Sequence, residues 1–436
     1  MAETLPSVVE QELLGLRTLL WGAEIKQDIF KRWSQGFYYS INEKSALEQA
    51  EGGPCAIIAP VQAFIIKNLL LEYKDLSFRE KVTPELQNKM LIHALCEILG
   101  QCSTDKFCIV HKDNHTSDTK LEGDKNENLS EHESNSDPQQ FHEDLDVIFF
   151  SSLSDVHKYY FDHIDMLRGK YGVLLFLYSV ILSRGLQQVR VECGDSQDPF
   201  IDETYGYGSQ SLINLMITGS CTTYVWDHYQ EVGGLRLKGI EKQSQVGFIT
   251  IMEHHRFCTV GSFYKNPIHP VWVVGSDTHL TVLFSDERRL VSPETKSEQA
   301  RRVFKSFDPD GNNFISTDKL GDVLQALDLV SEVEYVDIMK KKLDSEGLGI
   351  ILLNAFMDEF FPKEESSTPD MFTLVHYNGL PQSNINGQVQ YHIGSAILLE
   401  SDIRSVCEWN PMLTVLQTKW PSIEVNWRDD ITPSLN

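Results

Sequence analysis

The chain has 436 residues, 41% of them hydrophobic, enough for a sizeable core and for more than one domain. Its formal net charge of −25 argues against nucleic acid, whose phosphates repel such a field, and against anionic membrane surfaces. No stretch of about 18 residues is both apolar and free of charge, so no membrane-spanning helix is expected. The first residues (MAETLPSVVEQELLGL) lack the basic-then-apolar plan of a secretory signal, so a cytoplasmic or nuclear protein is expected. Eight cysteines spread over this length read as free thiols. There is no CxxC pair, and neither Cys102 with Cys108 nor His255 with Cys258 has a second half to complete a zinc site. No metal and no cofactor is expected.

Residues 1–110 read as mainly helical. Residues 10–20 repeat apolar positions at helical spacing, residues 30–39 (FKRWSQGFYY) form an aromatic-rich loop or turn, and residues 54–71 and 84–101 form long helices. Residues 111–144 are polar, acidic and almost free of aliphatics, which predicts a disordered insertion within one domain. The second half of that domain, 145–296, contains a long apolar helix within 165–186 and another over 209–218. It then turns to strands at 247–253, 271–275 and 279–284, the last two joined by a tight turn. Strand-like pieces at 396–400 and 422–427, within the closing segment 363–436, complete the domain. Helices first and strands later, without βαβ alternation, indicate an α+β fold.

Residues 297–362 contain a repeat. DPDGNNFISTDKL begins at Asp308 and DSEGLGIILLNAF at Asp344, and Ile315 and Ile351 hold the same place, the central bridge position of a paired EF-hand. A calcium loop needs oxygen ligands at its odd positions, Gly at position 6 and a bidentate Glu at position 12. The first loop has Asn313 at position 6 and Lys319 at position 12; the second has Leu348 at position 5 and Ala355 at position 12. The pair reads as a degenerate EF-hand that binds no calcium at cellular concentrations.

Chemistry concentrates in LEQAEGGPCAIIAPVQAF, residues 47–64. The glycines permit positive φ and close approach of a substrate, and the proline fixes the entry to a helix. A cysteine at that entry meets unpaired backbone N–H groups and the positive end of the helix, which favour its thiolate and can hold an oxyanion. Gln49, six residues upstream of Cys55, could bring an amide donor to the same spot. An isolated cysteine on an apolar helix is usually inert core; the Gly-Gly-Pro turn and the upstream glutamine favour a nucleophile here. Pro60 is expected to kink or shorten the first turns of the helix. A base is needed, normally His. Of 14 histidines, His111, His115, His132 and His142 border or lie in the insertion, and His93 and His163 sit within helices. His254 and His255 have no active-site surroundings. His279, which starts a strand after a tight turn, is the first choice. The group that would orient it is not evident, although Asp277 and Asp286 are near in sequence. Residues 33–37 (WSQGF) are candidates for a loop that closes the site, or for core packing.

At these residues the chain resembles the MINDY family of cysteine deubiquitinases, within its EF-hand-bearing branch. The likeness runs through SALEQAEGGPCAIIAPVQAF, YGYGSQSLINLMITG (205–219), GSDTHLTVLF, SEQARRVFKSFDPD, LDSEGLGIILLNAF and LQTKWPSIEVNW, nearly end to end except for the acidic insertion. The departure is greatest at residues 221–231 (CTTYVWDHYQE). The resemblance implies a papain-like cysteine hydrolase core, with the nucleophile's helix packed on an antiparallel sheet and the degenerate EF-hand pair as an insertion. It implies Cys55 as nucleophile, His279 as general base and Gln49 in the oxyanion hole. It also implies hydrolysis of isopeptide bonds after the C-terminal glycine of ubiquitin, with preference for lysine-forty-eight-linked chains, and therefore ubiquitin and polyubiquitin as partners. The alternative is a catalytically weak or inactive ubiquitin-binding adaptor of the same fold.

Overall fold

The structure, a computed structural model, describes residues 8–112, 137–194, 198–293, 295–308, 312–363, 367–399 and 410–436. The chain divides into two compact units, Met1–Glu287 with Asp370–Asn436, and Arg288–Pro369.

The first unit is organised around the helix Cys55–Tyr73, whose residues are buried on every side for most of its length, as its uniformly apolar sequence requires. By length and composition alone it could cross a membrane, but it is the core helix of this unit. Its one lysine, Lys67, is buried and paired with Glu97. The helix starts at Cys55 and continues through Pro60, so it is not shortened there as the sequence suggested. Pro60 is its sixth residue, and its ring forfeits only the bond to the Ala56 carbonyl. The helix Pro84–Cys102 packs beside it, started by Thr83, whose hydroxyl accepts the Leu86 N–H at 3.3 Å.

Several boundaries differ from those read in the sequence. Within 30–39, the helix Gln27–Trp33 buries Ile29, Phe30 and Trp33, which share one helical face. It is followed by a short strand, Tyr38–Tyr39, paired with Leu47–Glu48. The long apolar helix expected within 165–186 is Gly172–Arg184, preceded by a separate short helix, Ile164–Arg168. Between the two, residues 35–37 take up backbone groups, Phe37 N–H donating to the Leu167 carbonyl and the Gln35 carbonyl accepting from Val173 N–H, both at 3.0 Å. The insertion is narrower at both edges than 111–144. Phe107–Lys112 is a strand paired with Leu145–Phe150, and Pro138–Glu143 is a helix held by Phe141, which is buried against Phe30 and Tyr171. Residues 113–136, the body of the expected insertion, lie outside the described residues.

A six-stranded sheet covers the core helix: β1 (Gly247–Thr250), β2 (Val271–Gly275), β3 (Leu280–Phe284), β4 (Met371–Tyr377), β5 (Tyr391–Leu398) and β6 (Ile423–Trp427), neighbours in chain order. All pairings are antiparallel except β1 with β2. That parallel pair is joined by a crossover with two short helices, the first starting at Ile251 where a strand to residue 253 had been expected. Thr250 ends β1 by accepting the Met252 N–H on its hydroxyl, at 3.2 Å. β2 and β3 are buried at every residue, which matches their continuous apolar sequences. β4 went unseen in the sequence reading. Its His376 is fully buried, and among the described residues neither ring nitrogen has a hydrogen-bond partner.

The second unit interrupts the sequence between β3 and β4. It holds two helix–loop–strand–helix repeats with their own core, including Phe304, Ile315, Leu324, Ile351 and Phe356. The strands Phe314–Ser316 and Ile350–Leu352 pair antiparallel, with Ile315 opposite Ile351. In each loop the leading aspartate closes on its own backbone: Asp308 accepts from Asn312 and Asn313 N–H, and Asp344 from Leu348 and Gly349 N–H.

Two buried histidines, His279 and His376, and the partly buried His142 are expected to make this fold acid-sensitive. Burial lowers His279 and His142 to about 4 and His376 to about 3. Since these folded-state values lie below the ordinary 6.5, the fold holds the neutral rings. Their contribution is present above about pH 6.5 and is lost as pH falls through 4. The unfolding free energy from urea titrations should therefore drop steadily between pH 6.5 and 4, by up to about 1.4 kcal/mol per pH unit for each imidazole. His376→Phe should flatten that slope; an unchanged slope would count against the burial of neutral His376.

Candidate active site

The site is assembled from three segments far apart in sequence. The first is the loop before the core helix. Gln62, a polar residue buried inside that helix, accepts the Leu47 N–H at 2.6 Å and donates to the Ser45 carbonyl at 2.9 Å. Tyr377, at the end of β4, donates its hydroxyl proton to the Leu47 carbonyl at 2.7 Å, and Gln49 N–H donates to the Gly379 carbonyl at 2.8 Å. With its incoming strand pinned, the chain turns through Gly52 and Gly53 into Pro54 and Cys55. Gly53 takes φ +130°, and a Cβ there would lie 3.1 Å from the Trp33 indole nitrogen and 3.2 Å from the Gly206 carbonyl. Of the segment 33–37, Trp33 and Phe37 are core residues, while the Gln35 amide oxygen holds the loop by accepting Ala50 N–H at 3.0 Å.

Cys55 is the first residue of the helix and only 4% exposed. Its sulfur is within bonding reach of the backbone at Leu280, Ala56, Cys55 itself and Gly53, and the thiol donates to the Gly53 carbonyl at 3.7 Å. Leu280 directly follows His279, so the helix start and the β3 start meet at the sulfur. Burial nevertheless outweighs these backbone groups and pushes the thiol up to about 11. The sequence reading of a thiolate favoured by the helix entry therefore does not describe this state. The entry supplies the N–H groups, but a sulfur removed from water with no cation beside it stays protonated. At pH 7.5 Cys55 should react with iodoacetamide at least about 100-fold more slowly than an exposed thiol. Half-buried Cys258 should be modified before it, and peptide mapping showing Cys55 modified first would contradict this.

The second segment carries His279. The turn 276–279 is closed by Ser276 N–H donating to the His279 carbonyl at 2.9 Å, and the Ser276 hydroxyl oxygen accepts His279 N–H at 3.0 Å. The ring is buried, and burial holds it neutral. Its Nε2 lies 3.0 Å from the Asn378 side-chain oxygen. Among the described residues no hydrogen bond joins His279 to Cys55.

The third segment is the end of β4. Antiparallel pairing sets Tyr377 opposite Val282, so residues 378 and 379 continue alongside the start of β3. Asn378 is the residue the sequence reading missed. It is buried, it touches the imidazole, and it lies beyond the inserted repeats, so proximity in sequence pointed instead to Asp277 and Asp286. Neither of those aspartates is hydrogen-bonded to His279; Asn378 is. Gln49 is also brought to this place, anchored by its backbone beside Asn378. Its side-chain amide, however, donates to the Glu51 carbonyl at 2.8 Å and is engaged with its own loop.

The family model for the conserved domain of the deubiquitinating enzymes MINDY-3/4 matches residues 17–306. A Drosophila melanogaster protein named ubiquitin carboxyl-terminal hydrolase MINDY-3 homolog is 52% identical, the alignment covering 98% of this chain and 83% of the fly protein. The Homo sapiens ubiquitin carboxyl-terminal hydrolase MINDY-3 is 46% identical over 97% of this chain and 98% of its own length. A Bos taurus MINDY-4 is more distant, 29% identical over 68% of this chain. The chain belongs to the MINDY-3/4 deubiquitinase family. The matched MINDY-3/4 domain includes Gln49, Cys55 and His279, whereas Asn378 falls beyond it.

Proposed function

We propose that this chain is a cysteine-dependent deubiquitinase that cleaves isopeptide bonds after the C-terminal glycine of ubiquitin, in lysine-forty-eight-linked chains by preference. The observation that carries this reading is the convergence of Cys55, at a helix entry, with His279 and its partner Asn378. A nucleophilic cysteine, an imidazole and a side chain that orients the imidazole are the parts that thiol acyl transfer needs. A core helix starting at the cysteine and packed on a largely antiparallel sheet supports a papain-like core. The pairing of Ile315 with Ile351 supports a degenerate EF-hand pair in the second unit.

In the proposed reaction His279 takes the thiol proton and the Cys55 sulfur attacks the glycine carbonyl. The developing oxyanion is met by backbone N–H at the helix entry and by the Gln49 amide. His279 then protonates the departing lysine amine, and water hydrolyses the thioester. With the thiol buried on the Gly53 carbonyl and the Gln49 amide held by Glu51, the 49–54 loop must rearrange as substrate arrives. Gln49→Ala should lower kcat by about 100- to 1,000-fold and leave chain binding intact; an unaltered kcat would remove Gln49 from the oxyanion hole.

The protonated, covered thiol favours a second reading, an adaptor that binds ubiquitin without cleaving it. Incubation with ubiquitin dimers of each linkage separates the two. Cleavage, fastest for the lysine-forty-eight dimer, is the expected result. Binding without cleavage of any dimer would establish the adaptor.

A further inference from the structure

We propose that residues 431–436 are a positioning element for the catalytic base: they fix the Asn378 amide and the turn carrying His279, and thereby the imidazole tautomer that can take a proton from Cys55. The proposal rests on the reading of Cys55 and His279 as nucleophile and base.

Pro433 and Leu435 of this segment are buried, while the residues between and around them reach the site. The Ser434 carbonyl accepts from Asn378 Nδ2 at 3.1 Å. Asn436 Oδ1 accepts from the Thr278 hydroxyl at 3.2 Å and from the Ser276 hydroxyl. Ser276 in turn receives the His279 N–H. One short stretch of chain thus touches both what orients the imidazole and what carries its backbone. It is itself shaped by the Ser434 hydroxyl, which accepts Asn436 N–H at 3.1 Å.

The tautomer follows from the donors and acceptors. Leu380 N–H can only donate, and it meets Asn378 Oδ1 at 3.0 Å; the Ser434 carbonyl can only accept, and it meets Nδ2. Together they orient the amide with its oxygen toward His279 Nε2, which must then carry the ring proton. Nδ1 is left with the lone pair, the arrangement a base requires. A reversed amide would set NH2 against the Leu380 N–H and oxygen against the Ser434 carbonyl. It would also draw the ring proton to Nδ1, where the ring could not accept one. Without residues 431–436 one of these two constraints is gone, and the His279 turn loses its tether.

The test uses a chain ended at Asp430, compared with the full chain for ubiquitin-dimer hydrolysis, chain binding and thermal melting. Shortening should lower kcat about tenfold or more, with KM and binding within about twofold. Asn378→Asp provides a rescue, since a carboxylate cannot present a donor to Nε2. In the shortened chain it should restore kcat several-fold. In the full chain, where its second oxygen faces the Ser434 carbonyl, it should lower kcat. Such a reversal is not expected of a segment that merely adds stability. Asn436→Ala, which removes little buried surface, should lower kcat about threefold or more at an unchanged melting temperature, and it decides the matter if the shortened chain does not fold. Unaltered kcat in the folded variant, or no restoration by Asn378→Asp in a folded shortened chain, overturns the proposal. Activity persisting in full-length Cys55→Ala would instead overturn the nucleophile on which it rests.

Discussion

Cys55→Ala is expected to abolish hydrolysis of ubiquitin chains, with kcat falling by about 10,000-fold or more, while chain binding stays within about twofold of the starting protein. Removing the nucleophile of an acyl-transfer site leaves only what the remaining groups do for attack by water. The side chain fills a small space at a helix entry whose backbone is fixed by Gln62, Tyr377 and Gly379. Loss of one sulfur there should leave the fold in place. Hydrolysis measured with the lysine-forty-eight dimer, beside binding by calorimetry, checks both halves. Retained hydrolysis would remove Cys55 from the chemistry; lost binding would mean that the substitution disturbs more than the thiol.

Asn378→Ala should also cripple the site, lowering kcat by about 10- to 1,000-fold with little change in KM. Its amide oxygen meets both His279 Nε2 and the Leu380 N–H, and its nitrogen donates to Ser434. Truncation leaves the ring free to turn and to hold its proton on either nitrogen; in serine hydrolases an imidazole in the wrong tautomer costs about 10,000-fold. The neutral amide here provides orientation without the charge of a carboxylate, so a smaller loss is expected. The same truncation leaves buried donors unpaired, at about 1–3 kcal/mol of stability. Kinetics should therefore be read beside a melting curve taken under assay conditions. A kcat within twofold of the starting value would exclude Asn378 as the orienting group.

The candidate site was unequally legible in the sequence. Cys55 announced itself because the requirements of a helix entry are local: two glycines, a proline and a cysteine within four residues, then an apolar run. His279 was marked less sharply, by its place at the start of a strand after a tight turn. Asn378 carried no local signal. Its role arises from the register of β4 on β3, and those strands are separated by the whole second unit, so only the folded sheet sets residue 378 beside His279. For Gln49 the sequence suggested an amide near the nucleophile, but it could not reveal that the amide would turn to the Glu51 carbonyl. The protonation of Cys55 was equally hidden. Proximity to backbone N–H groups can be read from a motif, whereas desolvation depends on everything packed around it.

The same division runs through the fold. The helices Cys55–Tyr73 and Pro84–Cys102 are long and locally marked, by an apolar run in one and a Thr-Pro start in the other, and they form as expected. The long apolar helix within 165–186 also forms, but its start at Gly172 was not legible, because residues 35–37, remote in sequence, take the backbone groups that would have extended it. Phe141 shows the converse. One aromatic residue in a polar stretch, buried against Phe30 and Tyr171, anchors a short helix at the edge of a segment that composition marked as unable to fold, with Asp137 capping it and His142 bonded to Tyr178.

The most direct measurement is reaction of the full chain with ubiquitin carrying a C-terminal electrophile, followed by peptide mapping of the adduct. A single adduct on Cys55, lost in Cys55→Ala and much reduced in Asn378→Ala, is the expected result. An adduct on another cysteine, or none from a chain that still hydrolyses ubiquitin dimers, would contradict Cys55 as the nucleophile.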